Sequence, residues 1–339
     1  MGAEGRQKKK ARLSKLSPPP MIEVIAALFP IFAIIAIGYG LRQRTNIGDS
    51  VWQGLEFLVY YLFFPSLLFL NLSRTDLSAL DIGPMALSMI GPILVAAGLL
   101  LALRRPINRW LHKDVKTVCN RNGAFTTVFQ GSIRPNTYVA LAAAVALFGE
   151  AGATLTILAI ATVIPLVNVI AVIVLSVFAE GKSTDLKKII LGVVSNPIIV
   201  ACVAGVLFNA VGLSWTSVIG GMIEESLDLL ARAALPLGLI AVGAGLKIQT
   251  LATGNKAIIL ATSLKLLVLP LLTVGLCWSL GVSGLTATIA MMFNALPVSA
   301  ASYVLSRQMG GDAPLMAGVL TAQTLAAAVT LPTLLALFG

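Results

Sequence analysis

The chain has 339 residues, of which 58% are hydrophobic and only 11% are charged, and its mean hydropathy is +0.94. A soluble domain is about half apolar and about one quarter charged, so this composition excludes an ordinary soluble protein and predicts an all-α, polytopic membrane protein. The net charge of +10 does not indicate nucleic-acid binding, because six of the 24 Lys and Arg residues lie in the first twenty positions and most of the others lie in loops.

The first twenty residues, MGAEGRQKKKARLSKLSPPP, are basic and end in three prolines. They contain no apolar core, so they do not form a signal peptide. We predict that residues 1–20 are a disordered extension or a mis-assigned start, and that they have no role in the function. The alternative is a basic tail that docks on anionic lipid.

Ten apolar segments follow, each long enough to cross a bilayer as a helix. The predicted spans are 21–41, 51–71, 83–103, 119–148, 152–179, 187–209, 218–245, 257–280, 284–306 and 313–338. The odd-numbered loops, together with Lys187 and Lys188 at the start of the sixth span, carry thirteen Lys and Arg residues, whereas the even-numbered loops and the C-terminus carry only Arg74. The positive-inside rule therefore places the odd loops in the cytoplasm and both ends of the membrane domain on the non-cytoplasmic side of the inner membrane.

The fourth and ninth spans are related by a shift of 162 positions. This shift aligns RPNTYVALAAAVALFGEAG (134–152) with LPVSAASYVLSRQMGGDAP (296–314) and brings Pro135 onto Pro297. Each segment has a proline in mid-span, then a short apolar helix, then a glycine and an acid before the next span. Because five spans separate the two copies, the pattern predicts repeats that are inverted across the membrane.

Matched proline breaks in two inverted halves indicate a transporter binding site at the membrane midplane. At such a break a half-helix begins with free N–H groups and a positive dipole end, which can bind an anion. Polar residues flank both prolines, namely Asn136 and Thr137 in the first and Asn294 and Ser299 in the second. A simple proline kink is the alternative interpretation.

The sequence resembles the auxin efflux carrier family over residues 21–339. The most specific marks are PNT at 135–137 and ALP at 295–297, and weaker marks are NP at 196–197 and Lys265 five residues before Pro270. The resemblance implies ten helices in two inverted five-helix repeats, 21–180 and 187–339, with broken crossover helices 4 and 9, as in bile-acid symporters and related antiporters. It also implies a scaffold of helices 1, 2, 6 and 7, a transport domain of helices 3–5 and 8–10, elevator-type alternating access, and a homodimer through the scaffold.

The resemblance implies that Pro135, Asn136 and Pro297 receive a substrate carboxylate, and that Asn196 faces the transport domain. Two departures from the plant members favour a bacterial carrier of a small acid such as malonate or malate over an auxin carrier. The long loop between the halves is missing, and Arg134 occupies a position that is apolar in plants.

Several polar residues near the breaks have two open roles. Arg134 either provides a fixed cation for a dicarboxylate or caps the negative end of the first half-helix. Gln130 and Asn294 either line the site or satisfy carbonyls that the breaks leave free. Lys265 is expected to be a structural partner of the helix ends rather than a ligand.

The predicted function is therefore secondary or facilitated transport of a small organic anion. A sodium- or proton-coupled antiporter or symporter of the same architecture is the alternative, but it requires carboxylates at the breaks, and the breaks contain asparagines. No enzyme motif is present. The three cysteines are far apart and His112 has no second histidine, so no metal site, disulfide or cofactor is predicted.

Overall fold

The computed structural model describes residues 21–74, 82–111, 121–179, 195–252 and 255–339. The predicted extension 1–20 and the predicted start of the sixth span at residue 187 lie outside these ranges. The described residues form an all-helical membrane protein.

The helices begin and end close to the predicted spans. They are α1 (Met21–Arg44), α2 (Asp49–Leu58), α3 (Phe64–Arg74), α4 (Ile82–Ala102), α5 (Arg104–Leu111), α6 (Arg121–Ile133), α7 (Thr137–Phe178), α8 (Pro197–Ala210), α9 (Val218–Ala244), α10 (Asn255–Ser263), α11 (Leu269–Ser279), α12 (Gly284–Asn294), α13 (Ala301–Gln308) and α14 (Ala313–Phe338). Within the described ranges, seven continuous helical segments are long and apolar enough to cross a membrane, and α8 and α12 are shorter apolar helices.

Two spans contain a widened π turn that the sequence did not predict. Val59–Phe63 joins α2 to α3, and Leu264–Val268 joins α10 to α11. Pro65 and Pro270 follow these turns. Since a proline lacks an N–H and its ring clashes with the carbonyl four residues earlier, the preceding turn widens instead of closing normally. The second span and the eighth span therefore each present side chains at an altered angle.

The predicted turn between the fourth and fifth spans lies inside the long helix α7. Gly149 has φ 59° and ψ −145°, which is not helical. A positive φ of this kind is readily adopted only by glycine. The helical segment that follows the first break therefore ends at Gly149, and the fifth span begins directly after it.

The most extensive helix contacts fall into two groups, although α1 also packs on α7 and α14. In one group α9 packs on α1 and α3, and α8 packs on α3. The approach is so close that a methyl group at Gly243 would overlap the carbonyl oxygen of Ile35, as expected where small residues line helix contacts in lipid. In the other group α10 packs on α6 and α14, and α11 and α12 pack on α4.

Candidate functional site

The two predicted breaks are present, and they touch. The first separates α6 from α7 at residues 134–136, and the second separates α12 from α13 at residues 295–300. Pro135 pairs with Val298 in an antiparallel bridge, and the Asn136 N–H donates to the carbonyl oxygen of Pro297 at 2.8 Å. Four helix ends therefore meet at one point, where backbone groups are used for contact between the breaks.

The first break is capped by its own asparagine. The Asn136 Oδ1 accepts hydrogen bonds from the N–H groups of Tyr138 at 3.1 Å and Val139 at 3.3 Å. This differs from the expectation of free amides at the start of this half-helix, because an asparagine at the N-cap satisfies them. Asn136 is 1% exposed, and its Nδ2 has no hydrogen-bond partner among the described residues. The donor that remains is thus a side-chain amide.

Arg134 is a buried cation held by neutral partners. Its side chain donates to Gln130 Oε1 at 3.1 Å and to Asn168 Oδ1 at 2.8 Å. Its Nε has no partner within the described ranges, and no carboxylate there forms an ion pair with it. Both observed bonds go to side-chain amides, so they do not support a role in capping the carbonyls of α6. No acidic side chain among the described residues therefore compensates the positive charge of the guanidinium.

Gln130 connects the two breaks behind Arg134. Its Oε1 accepts from the guanidinium, and its Nε2 donates to Ser306 Oγ in α13 at 3.0 Å. Gln130 is fully buried. It therefore orients Arg134 from the first break while it anchors the helix that follows the second.

The second break depends on a residue that the sequence did not indicate, Gln323 of α14. Its Oε1 accepts from the Val298 N–H at 2.8 Å, and its Nε2 donates to the carbonyl oxygens of Gly131 at 2.9 Å and Ala261 at 3.1 Å. One side chain thus holds the second break, the end of α6 and α10 together. Ser299 adds a long hydrogen bond, in which its Oγ accepts from the Ala301 N–H at 3.3 Å.

Asn294 lies at the end of α12, but its bonds face away from the first break. Its Nδ2 donates to the Met89 carbonyl oxygen at 3.1 Å and to Thr273 Oγ1 at 2.8 Å. These partners lie in α4 and α11. The carbonyl that Asn294 binds belongs to α4 and not to a break, and its Oδ1 has no partner among the described residues.

Asn196 caps α8 and lies near the first break. Its Oδ1 accepts from the Ile198 N–H at 3.0 Å. The Tyr60 side chain, in the first π turn, lies close enough to Asn196 and to Arg134 for an electrostatic interaction. Tyr138 packs edge-on against Phe64, with 4.8 Å between ring centroids. The first break is therefore the one that faces the group formed by α1, α3, α8 and α9.

The contact between the breaks is closed to solvent, because Arg134, Pro135, Asn136 and Thr137 are all buried. A separate cavity of about 400 Å³ lies at Arg74, Glu224, Asp228 and Arg232. These four side chains form ion pairs with one another, so their charges are largely compensated. No group of His, Cys, Asp and Glu that could bind a metal ion is found among the described residues.

Two comparisons with known proteins both indicate similarity to transporters. A family model described as "Membrane transport protein" matches residues 168–335. A protein of Methanothermobacter thermautotrophicus described as an uncharacterized transporter is 24% identical over 308 residues, which cover 89% of this chain and 94% of that protein.

Proposed function

The chain belongs to the membrane transport protein family, which is the auxin efflux carrier family, and from this premise we propose that it carries a small organic anion. It is a membrane transporter by family. The proposal adds the class of cargo and the place where it binds, at the contact between the two breaks.

The main support for the proposal is that the buried guanidinium of Arg134 has no acidic partner among the described residues. A buried charge without a partner is costly, and a carboxylate is the group whose geometry best matches a guanidinium. The free Nε of Arg134 and the free Nδ2 of Asn136 are both donors. They complement an anion and cannot coordinate a sodium ion.

We assign the neighbouring residues by their contacts. Gln130 positions Arg134, Thr137 begins the half-helix at the site, and Pro135 and Pro297 shape the two breaks. Ser299 and Asn196 border the site from the second break and from α8. Asn294 supports the end of α12 through Met89 and Thr273.

The mechanism that suits this arrangement is elevator-type alternating access. The scaffold would comprise α1–α3, α8 and α9, and the transport domain α4–α7 and α10–α14. The tight contact of Gly243 with α1 suits a rigid scaffold, and the three bonds of Gln323 suit a transport domain that moves as one body. The facing rings of Phe64, in the scaffold, and Tyr138, in the transport domain, would then lie on the surface along which the two domains slide.

Counterflow into proteoliposomes tests the cargo. Vesicles loaded with unlabelled malonate or malate should accumulate labelled malonate, and vesicles loaded with indole-3-acetate should accumulate less. External malonate should compete better than its monomethyl ester. Arg134→Ala should weaken malonate binding by about ten- to a hundredfold, because a hydrogen bond to a charged group is worth about 1.5–3 kcal/mol. Competition by the monoanionic ester should fall less.

Arg44→Ala, at an exposed position at the end of α1, is the matched control and should transport as the wild type does. Arg134→Lys should retain part of the preference for the dianion, because lysine keeps the positive charge but lacks the paired N–H donors of the guanidinium. An equal loss of dianion and monoanion competition in Arg134→Ala would contradict a role in binding the cargo. Stabilisation by Na⁺ or Li⁺ with no response to any acid would favour cation transport instead.

A further inference from the structure

Lys265 is the second buried cation of the described chain. It lies in the π turn Leu264–Val268, it is 0% exposed, and its Nζ has no hydrogen-bond partner among the described residues. The contacts therefore do not show the pairing with helix ends that the sequence suggested. A fully buried amine without a partner needs another explanation.

The elements packed against this turn bring no acid to it. They are α6, α10, α11 and α14. Helix α14 contains no titratable residue, α6 contains only Arg121, α10 only Lys256 and α11 only Cys277. Arg134, which follows α6, is a further positive charge. Protonated Lys265 therefore has no counter-charge in its described surroundings when the site is empty.

Lys265 lies at the level of the first break. Helices α6 and α14 run side by side in the same direction, because Gly123 lies against Asp312 and Gly131 lies against Val319. Helix α10 runs in the same direction as α14, because Ile258 lies against Gly318 and Ala261 binds Gln323. Lys265 is four residues beyond Ala261, as Pro135 is four residues beyond Gly131. Lys265 lies about one turn beyond Ala261, whose carbonyl oxygen accepts from Gln323 Nε2, and the π turn that contains it packs against α6 and α14.

The two buried cations differ in chemistry. An arginine keeps its proton under all conditions in proteins, whereas a lysine can exist as a neutral amine when it is buried. A carboxylate at the break would supply the negative charge that a protonated Lys265 lacks. Binding of the anion and protonation of the amine would thus favour each other.

We infer that Lys265, in place of the carboxylate that a proton-coupled carrier would otherwise need at the breaks, binds the proton that accompanies the transported anion, so that the carrier is a proton–anion symporter. The inference rests on the proposed function and adds its coupling ion. In the empty site Lys265 is a neutral amine. When the anion enters, the Nζ lone pair takes one proton from a hydronium ion or a buffer acid in the solution on the open side, and that proton leaves with the anion on the other side.

Proton uptake on binding is the direct test. Malonate is added to the purified full-length protein in weakly buffered detergent solution with a pH indicator. The wild type should take up close to one proton for each malonate bound. Its apparent affinity for malonate should rise as the pH falls, by up to tenfold per pH unit, because one proton is linked to binding.

Two substitutions separate the charge of Lys265 from its proton exchange. Lys265→Met has similar length and no charge, so proton uptake should disappear and malonate should bind more weakly at all pH values. Lys265→Arg is permanently charged, so it should bind malonate without proton uptake and with little pH dependence. Lys256→Met, at the start of the same span, is the control and should take up protons as the wild type does.

The outcomes distinguish the two proposals. Malonate binding by the wild type without proton uptake, or equal uptake by Lys265→Met, would overturn the inference and leave anion transport intact. Failure of the wild type to bind any acid would overturn the proposed function itself. If Lys265→Met does not fold, the wild type and Lys265→Arg still decide the matter, since uptake that persists in Lys265→Arg overturns the inference.

Discussion

The two breaks occupy matching positions in the sequence, yet they are stabilised in different ways. The first is capped locally by Asn136 and contains the charge of Arg134. The second is apolar around Leu296 and Pro297 and depends on Gln323 from another span. A break that is repeated in the sequence thus need not repeat its chemistry. We assign recognition of the cargo mainly to the first break and mechanical support to the second.

The largest effect should come from removing the support of the second break. Gln323→Leu leaves the Val298 N–H and the carbonyls of Gly131 and Ala261 buried without partners. Each unsatisfied group costs about 1–3 kcal/mol, so the apparent unfolding temperature in detergent should fall by roughly 5–10 °C. Gln249→Leu, at an exposed position, should change it little. An unchanged unfolding temperature for Gln323→Leu would contradict the role of this residue.

An intermediate effect should separate capping from recognition at the first break. Asn136→Asp keeps an oxygen for the N–H groups of Tyr138 and Val139, but it adds a negative charge beside Arg134. Stability should be retained, and malonate counterflow should fall by about tenfold or more, because the new carboxylate competes for the guanidinium. Asn136→Ala should instead lower stability by about 1 kcal/mol through loss of the cap.

Thermal unfolding and counterflow, measured on the same preparations of both Asn136 variants, check this separation. If Asn136→Asp transports malonate as well as the wild type, the first break does not recognise the anion by charge.

The smallest effect should come from Ser299. Its hydrogen bond to the Ala301 N–H is long, at 3.3 Å, and the groups near it have other partners. Ser299→Ala should therefore cost about 0.5 kcal/mol or less, and the concentration of malonate at half-maximal counterflow should change less than twofold. A loss as large as that of Arg134→Ala would show that the second break also recognises cargo and would remove the contrast between the two.

Much of the architecture could be predicted from the sequence. Hydrophobic length located most spans to within a few residues, although the fourth and fifth share the continuous helix α7, and the matched positions of Pro135 and Pro297 identified both breaks. The buried position of Arg134 also follows from its place within a long apolar stretch. The inverted repeat, the homodimer and the orientation of the termini stay predictions.

The remaining features depend on contacts between distant parts of the chain. Gln323 is one polar residue in an apolar helix and lies 192 positions from Gly131, so no local pattern reveals its partners. Asn168 is equally inconspicuous, although it holds Arg134. Pro65 resembles an ordinary membrane-helix proline, and only the three-dimensional structure shows the π turn that brings Tyr60 toward Asn196.

A solved structure of the full-length protein with malonate bound tests the central claim most directly. The account predicts density for malonate at the contact of the breaks, within hydrogen-bonding distance of Arg134 Nε and Asn136 Nδ2. Density in the cavity beside Arg74 and Arg232, with the contact between the breaks still filled only by protein, would contradict it.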